Sequence, residues 1–521
     1  MKRTEVTRIS LMGAMLLCLC LSARAQELSV PAARETALGS SLWLRSSNSA
    51  GLALDSLRVM SDLSLGFSFE QGGLHSVWDG DRESDVRVEA KGVAKVAGMT
   101  LYGDFSYDYM GVSGARYNAS LYEPAYDQPY YVADYSVSDW KKQSYDMGFR
   151  GATPLFWGDR AAFGFEARYK AMVGAKQTDP RTETFRYDLL LAPSFTFSFG
   201  GAGTFGLKLE YMHGFERSTP SVENDWVTPR VAIMRGLGFY TAGTAGGNLG
   251  FDIFYYKTNC FGGSLQYAFS SASVDLLVDA GAYISTTLVS ENPEFPRMRG
   301  RTEKSGLTLD AMANVGRRKN HRVMLRAGWG STSGYEYNQQ LSTSQGVSHW
   351  ITINNPLMST YDLVEADMSY VWYSGFDRRG EYDFKLGVSA DMFMMMQKYV
   401  APFSRFEAAD AALHAFAGWN VPVGADSRLL PEVRAGYRIS PSGEYSYGGT
   451  ANLDSEIVTD MYPSELRFLT SDRLETSLGL AWALGIRGGS SLCFLLHGDY
   501  DHSFGLREHR LKADFGVIYL F

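Results

Sequence analysis

Apolar and polar side chains alternate with a period of two through most of this chain. At the carboxy-terminal end Leu511, Ala513, Phe515, Val517, Tyr519 and Phe521 share one face, and Lys512, Asp514, Gly516, Ile518 and Leu520 the other. A repeat of two belongs to an extended strand, because successive side chains of a strand point to opposite faces. The same pattern predicts about 16–18 strands, at roughly 63–70, 84–92, 97–109, 143–153, 160–173, 188–199, 204–213, 261–270, 274–288, 305–315, 321–330, 361–374, 381–394, 408–419, 428–439, 474–487, 491–502 and 511–521. The region 214–260 is ambiguous, since Phe251, Ile253 and Tyr255 fit either an extra strand or a β-rich external loop.

A soluble β-sandwich also alternates. Two regularities favour a transmembrane antiparallel up-and-down β-barrel instead. Connections alternate between short (200–203, 316–320, 375–380, 488–490) and long (110–142, 214–260, 331–360, 440–473). Short periplasmic turns and long external loops belong to barrels of the outer membrane, and the parity holds from the carboxy-terminus back. Aromatic residues also gather at both ends of the apolar faces. Phe199, Phe269, Trp372, Trp419, Tyr519 and Phe521 lie near the short turns, and Tyr107, Tyr169, Tyr211, Trp329, Tyr437 and Tyr500 near the long loops. Such girdles suit two lipid–water boundaries.

Composition agrees: aromatic residues make up 14% of the chain, with 31 tyrosines and 54 glycines for strands and tight turns. Residues 1–25 read as a secretory signal, with a basic head (Lys2, Arg3, Arg8), an apolar stretch and Ala23-Arg24-Ala25 before Gln26. Removing them takes away four basic residues and one acid, leaving 45 Lys and Arg against 56 Asp and Glu, a net charge of −11. This acidic balance argues against nucleic acid as a partner. After the signal no run of about 18 apolar residues suggests a spanning helix. Residues 26–60 are expected to be a periplasmic or lumen-inserted segment, and 61–521 the barrel. Cys260 and Cys493 are expected to stay unpaired, being placed near opposite membrane faces.

With the apolar face toward lipid, the other face lines the lumen. It carries Glu166, Arg168, Lys208, Glu210, Asp310, Arg326, Asp383, Lys385, Glu432, Arg434, Glu475 and Asp514. Charges at membrane depth require a wet or mutually paired interior. The reading they support is an outer-membrane channel for passage or capture of a small polar or amphipathic solute. The alternative is an anchor whose external loops bind protein or glycan. The tyrosine-rich loop 110–142 suits such binding, although packing on the barrel mouth explains it as simply. The hairpin 497–509 holds Asp499, Asp501, His502, Glu508 and His509, ligand types with no recognisable metal spacing. No metal or cofactor is expected, and no serine–histidine motif suggests an enzyme.

The terminal Phe521 with spaced Tyr519, Val517 and Phe515, together with the Ala-Arg-Ala/Gln junction, resembles uncharacterised outer-membrane β-barrel families of Bacteroidota-type bacteria. That resemblance implies location in the outer membrane, contact with its lipid, and recognition of the last strand by the barrel assembly machinery. Residues 45–52 (Arg-Ser-Ser-Asn-Ser-Ala-Gly-Leu) resemble the Asn-Pro-Ala-Gly-Leu segment of fatty-acid transporter barrels, with Ser49 in place of the proline. A long plug domain of the TonB-dependent receptor kind is not expected ahead of the barrel.

Overall fold

The computed structural model describes residues 31–55, 59–121, 126–224, 226–245, 253–292, 296–344, 346–377, 380–486 and 489–521, so the segment 1–25 expected to be a signal lies outside the described residues. Eighteen strands form one closed antiparallel ring. In chain order they are Met60–Gly72, Arg82–Val96, Met99–Ala115, Ser138–Ala152, Ala161–Lys176, Arg181–Ser198, Thr204–Ser221, Phe254–Ser270, Val274–Glu291, Arg297–Val315, His321–Glu336, Leu357–Ser374, Phe384–Tyr399, Ser404–Trp419, Ser427–Ser446, Arg473–Ile486, Ser490–Ser503 and Glu508–Leu520. Each pairs with the next, and the last pairs with the first from Asp62↔Leu520 to Gly72↔Arg510. Phe521 completes the seam: its N–H donates to the Ser61 carbonyl at 3.1 Å, and the Ser61 N–H to its carbonyl at 2.8 Å. Closure leaves no sheet edge, the condition for strands to stand in hydrocarbon.

The outer face is apolar. Leu478 (67% exposed), Leu265 (65%) and Ile284 (63%) touch little protein. An uncovered band of this kind would drive association in water, but lipid is its natural solvent. Tight turns close the periplasmic end. Ala97 and Gly98, with φ of 52° and 81°, fit the left-handed two-residue hairpin that follows the sheet's twist.

The strands run further out than the alternation predicts. The sixth begins at Arg181 and the eighth at Phe254, against expected starts of 188 and 261. Above the lipid the outward positions need no apolar residue, so Arg181 and Glu183 interrupt the pattern while the ladder continues. Tyr255 therefore belongs to the eighth strand, and Phe251 lies outside the described residues. The long connections shorten to 116–137, 222–253, 337–356 and 447–472.

Candidate functional site in the lumen

Three of the long connections fold into the outer mouth or against it. Val132–Asp134, Arg230–Gly236 and Phe239–Thr244 make a small sheet across the opening. Alternation gives this sheet two apolar faces. Tyr131, Ala133, Ala232 and Met234 pack with Tyr361, Met395, Tyr399 and Phe406 of one wall. Tyr130, Val132, Val231 and Ile233 pack with Phe254, Tyr256 and Val289 of the other. The helical segment Ile457–Leu469 joins the first cluster through Ile457, Met461, Tyr462 and Leu469. Asp134 of the mouth sheet and Lys176 at the end of its strand form a fully buried ion pair, and Glu336 takes Arg235 together with a hydrogen bond from the Tyr399 hydroxyl.

Glu465, 1% exposed, ties the helical segment to the first external loop. It accepts hydrogen bonds from Ser76 Oγ (2.8 Å), the Val77 N–H (3.0 Å) and the Tyr126 hydroxyl (3.4 Å). Burial pushes its pKa up to about 7, with Asp79 adding to the rise, against the pull of the Ser76 and Val77 hydrogen bonds.

The periplasmic end holds the amino-terminal segment, built of the helices Pro31–Ser40 and Leu42–Arg45 and the 3-10 turn Ser49–Ala53. Trp43 packs with Ala268, Leu277 and Met312 of the wall, Leu52 with Val93 and Ala152, and Ala32 with Val371 and Tyr373. Polar bonds accompany these contacts. Asn48 Nδ2 donates to the Phe195 carbonyl (3.1 Å), the Leu207 carbonyl (3.2 Å) and Gln266 Oε1 (2.8 Å). The Asp279 carboxylate accepts from the Ser47 N–H (3.0 Å) and hydroxyl (2.7 Å). Arg150 donates to the carbonyls of Leu44 (2.9 Å) and Ser46 (2.8 Å). Glu35 meets Lys385 at 3.1 Å and accepts from the Tyr382 hydroxyl at 2.7 Å, while Arg34 pairs with Asp62. The wall is shaped for this contact: a Cβ at Gly164 would stand 2.1 Å from the Ala50 nitrogen.

Between these two closures lies a charged chamber of three neighbouring cavities. One of about 510 Å³ is lined by Arg45, Asp104, Glu166, Arg168, Lys208, Asp310 and Arg326 among others. A second, about 380 Å³, shares Arg45, Asp310 and Arg326 and adds Asp367, Asp391 and Arg434. A third, about 360 Å³, shares Arg434 and adds His414, Arg438, Glu475 and Asp499. Its charges are largely engaged: Arg168 with Asp146 (2.8 Å), Arg326 with Asp310 (2.9 Å), and Arg438 with Asp391 (2.8 Å) and Glu475 (2.7 Å).

Of the lumen residues expected from sequence, Glu166, Arg168, Lys208, Asp310, Arg326, Arg434 and Glu475 line this chamber. Glu210 pairs with Lys208 at 2.8 Å. Lys385 and Glu432, 2.6 Å apart, serve the amino-terminal segment instead. Asp383 stands exposed in the periplasmic turn after Ser374. Asp514 joins His497 and Asp499, whose ligand atoms all lie within 4.8 Å of one another. Phe515 and Val517 face outward on the last strand, and Tyr519 stacks on Phe521 with ring centres 5.2 Å apart. Sequence reasoning missed Arg45, Arg150 and Asp367; Arg150 and Asp367 stood on the polar side of predicted strands, but Arg45 lies in a segment without alternation.

No curated protein matches the sequence. Among solved structures, the outer-membrane transporter YddB of Escherichia coli is 10% identical, with 88% of this chain and 81% of that one covered and a TM-score of 0.41. The siderophore receptor PirA of Acinetobacter baumannii is 8% identical over 90% and 81%, at 0.40. The TodX monoaromatic hydrocarbon channel is 10% identical over 91% and 92%, at 0.31. A family model spans nearly the whole barrel, residues 49–521 from the 3-10 turn onward, and by it the chain belongs to the family of unknown function DUF6850.

Proposed function

We propose that this protein is a gated channel of the bacterial outer membrane that admits a small polar or amphipathic solute to its lumen. The observation that carries this reading is the chamber itself, closed at both ends by segments of the same chain. A barrel that served only as an anchor has no need of a charged, water-accessible interior between two closures. Lipid surrounds the apolar band, and the last strand, with Phe515, Val517, Tyr519 and Phe521 outward, is the element the assembly machinery recognises. Both closures bury apolar side chains, the outer one around Tyr361, Tyr399 and Met461 and the inner one around Trp43, Leu52 and Ala32. The inner one adds a set of polar bonds that water can replace one by one, each contributing about 1 kcal/mol net.

Planar-bilayer recording tests the reading. The full mature chain is expected to be closed or flickering. A variant lacking residues 31–55 and a second also lacking the helical segment 457–469 are expected to conduct steadily. If both variants stay silent while retaining the heat-modifiable gel mobility of a folded barrel, the interior does not conduct. The external loops then become the functional part, and the barrel their anchor.

A further inference from the structure

One arginine of the amino-terminal segment stands alone in the chamber. Arg45 ends the helix Leu42–Arg45 and lines both the 510 Å³ and the 380 Å³ cavities. Among the described residues it has no hydrogen bond and no ion pair. Burial, then Arg322 and Arg326, hold its pKa below the usual arginine range, against the pull of the Tyr373 hydroxyl. Across the 380 Å³ cavity, again among the described residues, the Arg434 side chain hydrogen-bonds only Ser389 Oγ, at 3.4 Å, and forms no ion pair.

The carboxylates of that cavity are directed elsewhere. Asp310 binds Arg326, and Asp367 stands beside Arg326 in register on the next strand. Asp391 is taken by Arg438. Two guanidiniums are left without a carboxylate, one on the amino-terminal segment and one on the wall. The same cavity has an apolar side made by Leu277, Met312 and Met324. A planar guanidinium fork matches the oxygens of a carboxylate or phosphate.

We propose that Arg45 and Arg434 are the anion-binding arms of this chamber, and that its ligand is a small amphipathic anion carrying an oxyanion group on an apolar body. This rests on the reading of the lumen as ligand-admitting, and it names the class of ligand. Because one arm belongs to the amino-terminal segment and the other to the barrel, a bound anion bridges the two.

Titration calorimetry on the full mature chain in detergent, with benzoate, phenyl phosphate and benzylamine as probes, tests the inference. Saturable binding of at least one anion and none of the amine is expected. Benzoate alone marks a carboxylate ligand and phenyl phosphate alone a phosphate. Arg45→Gln is expected to weaken that binding about tenfold or more, as loss of a charged hydrogen bond does. Arg434→Gln should weaken it similarly, and Arg45→Lys should restore part of it. Among the described residues the Arg45 side chain makes no hydrogen bond or ion pair, so its replacement breaks none, and heat-modifiable mobility verifies the barrel. Binding that is equal for anion and amine, unchanged in both glutamine variants, or absent for all probes overturns the proposal. Anion binding that depends on Arg45 in a protein whose deletion variants never conduct overturns the channel and leaves the site.

Discussion

At the scale of single residues, contact between the amino-terminal segment and the wall turns on missing side chains. Gly164 faces the lumen, and a Cβ there would stand 2.1 Å from the Ala50 nitrogen and 2.6 Å from its Cα. These are backbone atoms that cannot rotate away. At Gly206 a Cβ would meet Asn48 Nδ2 at 2.7 Å, so the asparagine amide reaches the wall carbonyls only over a bare backbone. Gly164→Val is therefore expected to push the 3-10 turn off the wall without harming the barrel, since the strand keeps its ladder and valine suits an extended backbone. Faster proteolysis of residues 31–55, with unchanged heat-modifiable mobility, is the expected reading. Unchanged proteolysis would show that the turn docks elsewhere. Sequence alone displays Gly164 as one more strand glycine. Its reason lies in residue 50, far off in the chain and outside any periodic pattern.

At the scale of elements, the outer closure has a titratable latch. Glu465 in the helix Tyr462–Leu469 is bonded to Ser76 and Val77 of the first external loop and to Tyr126 of the second, with Asp79 nearby and Asp410 acting on Tyr126. Its folded pKa, about 7, lies above the usual carboxylate value, so the docked state holds the proton more tightly than the undocked one. Docking is then strongest at acidic pH, weakens as pH rises from about 4.5 to 7, and changes little above that. Protection of residues 457–469 against hydrogen exchange, corrected for the base-catalysed intrinsic rate, is expected to be lower at pH 8 than at pH 5, and Glu465→Gln should flatten that dependence. A pH-independent wild type would dismiss the latch. The barrel strands were legible because lipid demands an apolar residue at every second position, and all 18 appear where alternation placed them. Their outer ends were not, since above the lipid only the ladder constrains the chain. The mouth sheet alternates too, but both of its faces are apolar, so no period marks it as Val132–Asp134, Arg230–Gly236 and Phe239–Thr244.

At the scale of the whole molecule, an inward charge reads the same in sequence whether it faces water or a bonded partner. Arg326 lines the chamber, and Lys385 holds Glu35 of the amino-terminal segment, yet both follow one alternating rule. That is why the lumen's polarity was legible and its contents were not. The ring itself depends on one seam joining the two ends of the barrel, where Ser61 and Phe521 exchange both backbone hydrogen bonds. Deleting Phe521 removes those two bonds and the ring that stacks on Tyr519, and so exposes the Ser61 backbone at the periplasmic rim. With each bond contributing about 0.5–1.5 kcal/mol net, barrel refolded in detergent should lose about 1–3 kcal/mol, seen as a lower temperature of the heat-modifiability transition. Phe521→Ala keeps the backbone pair and should cost less. Refolding in detergent matters here, because it separates the stability of the seam from recognition of the last strand by an assembly machinery. If the deletion and the alanine variant melt alike, the aromatic ring and not the ladder secures the join, and opening of the barrel begins at another strand pair.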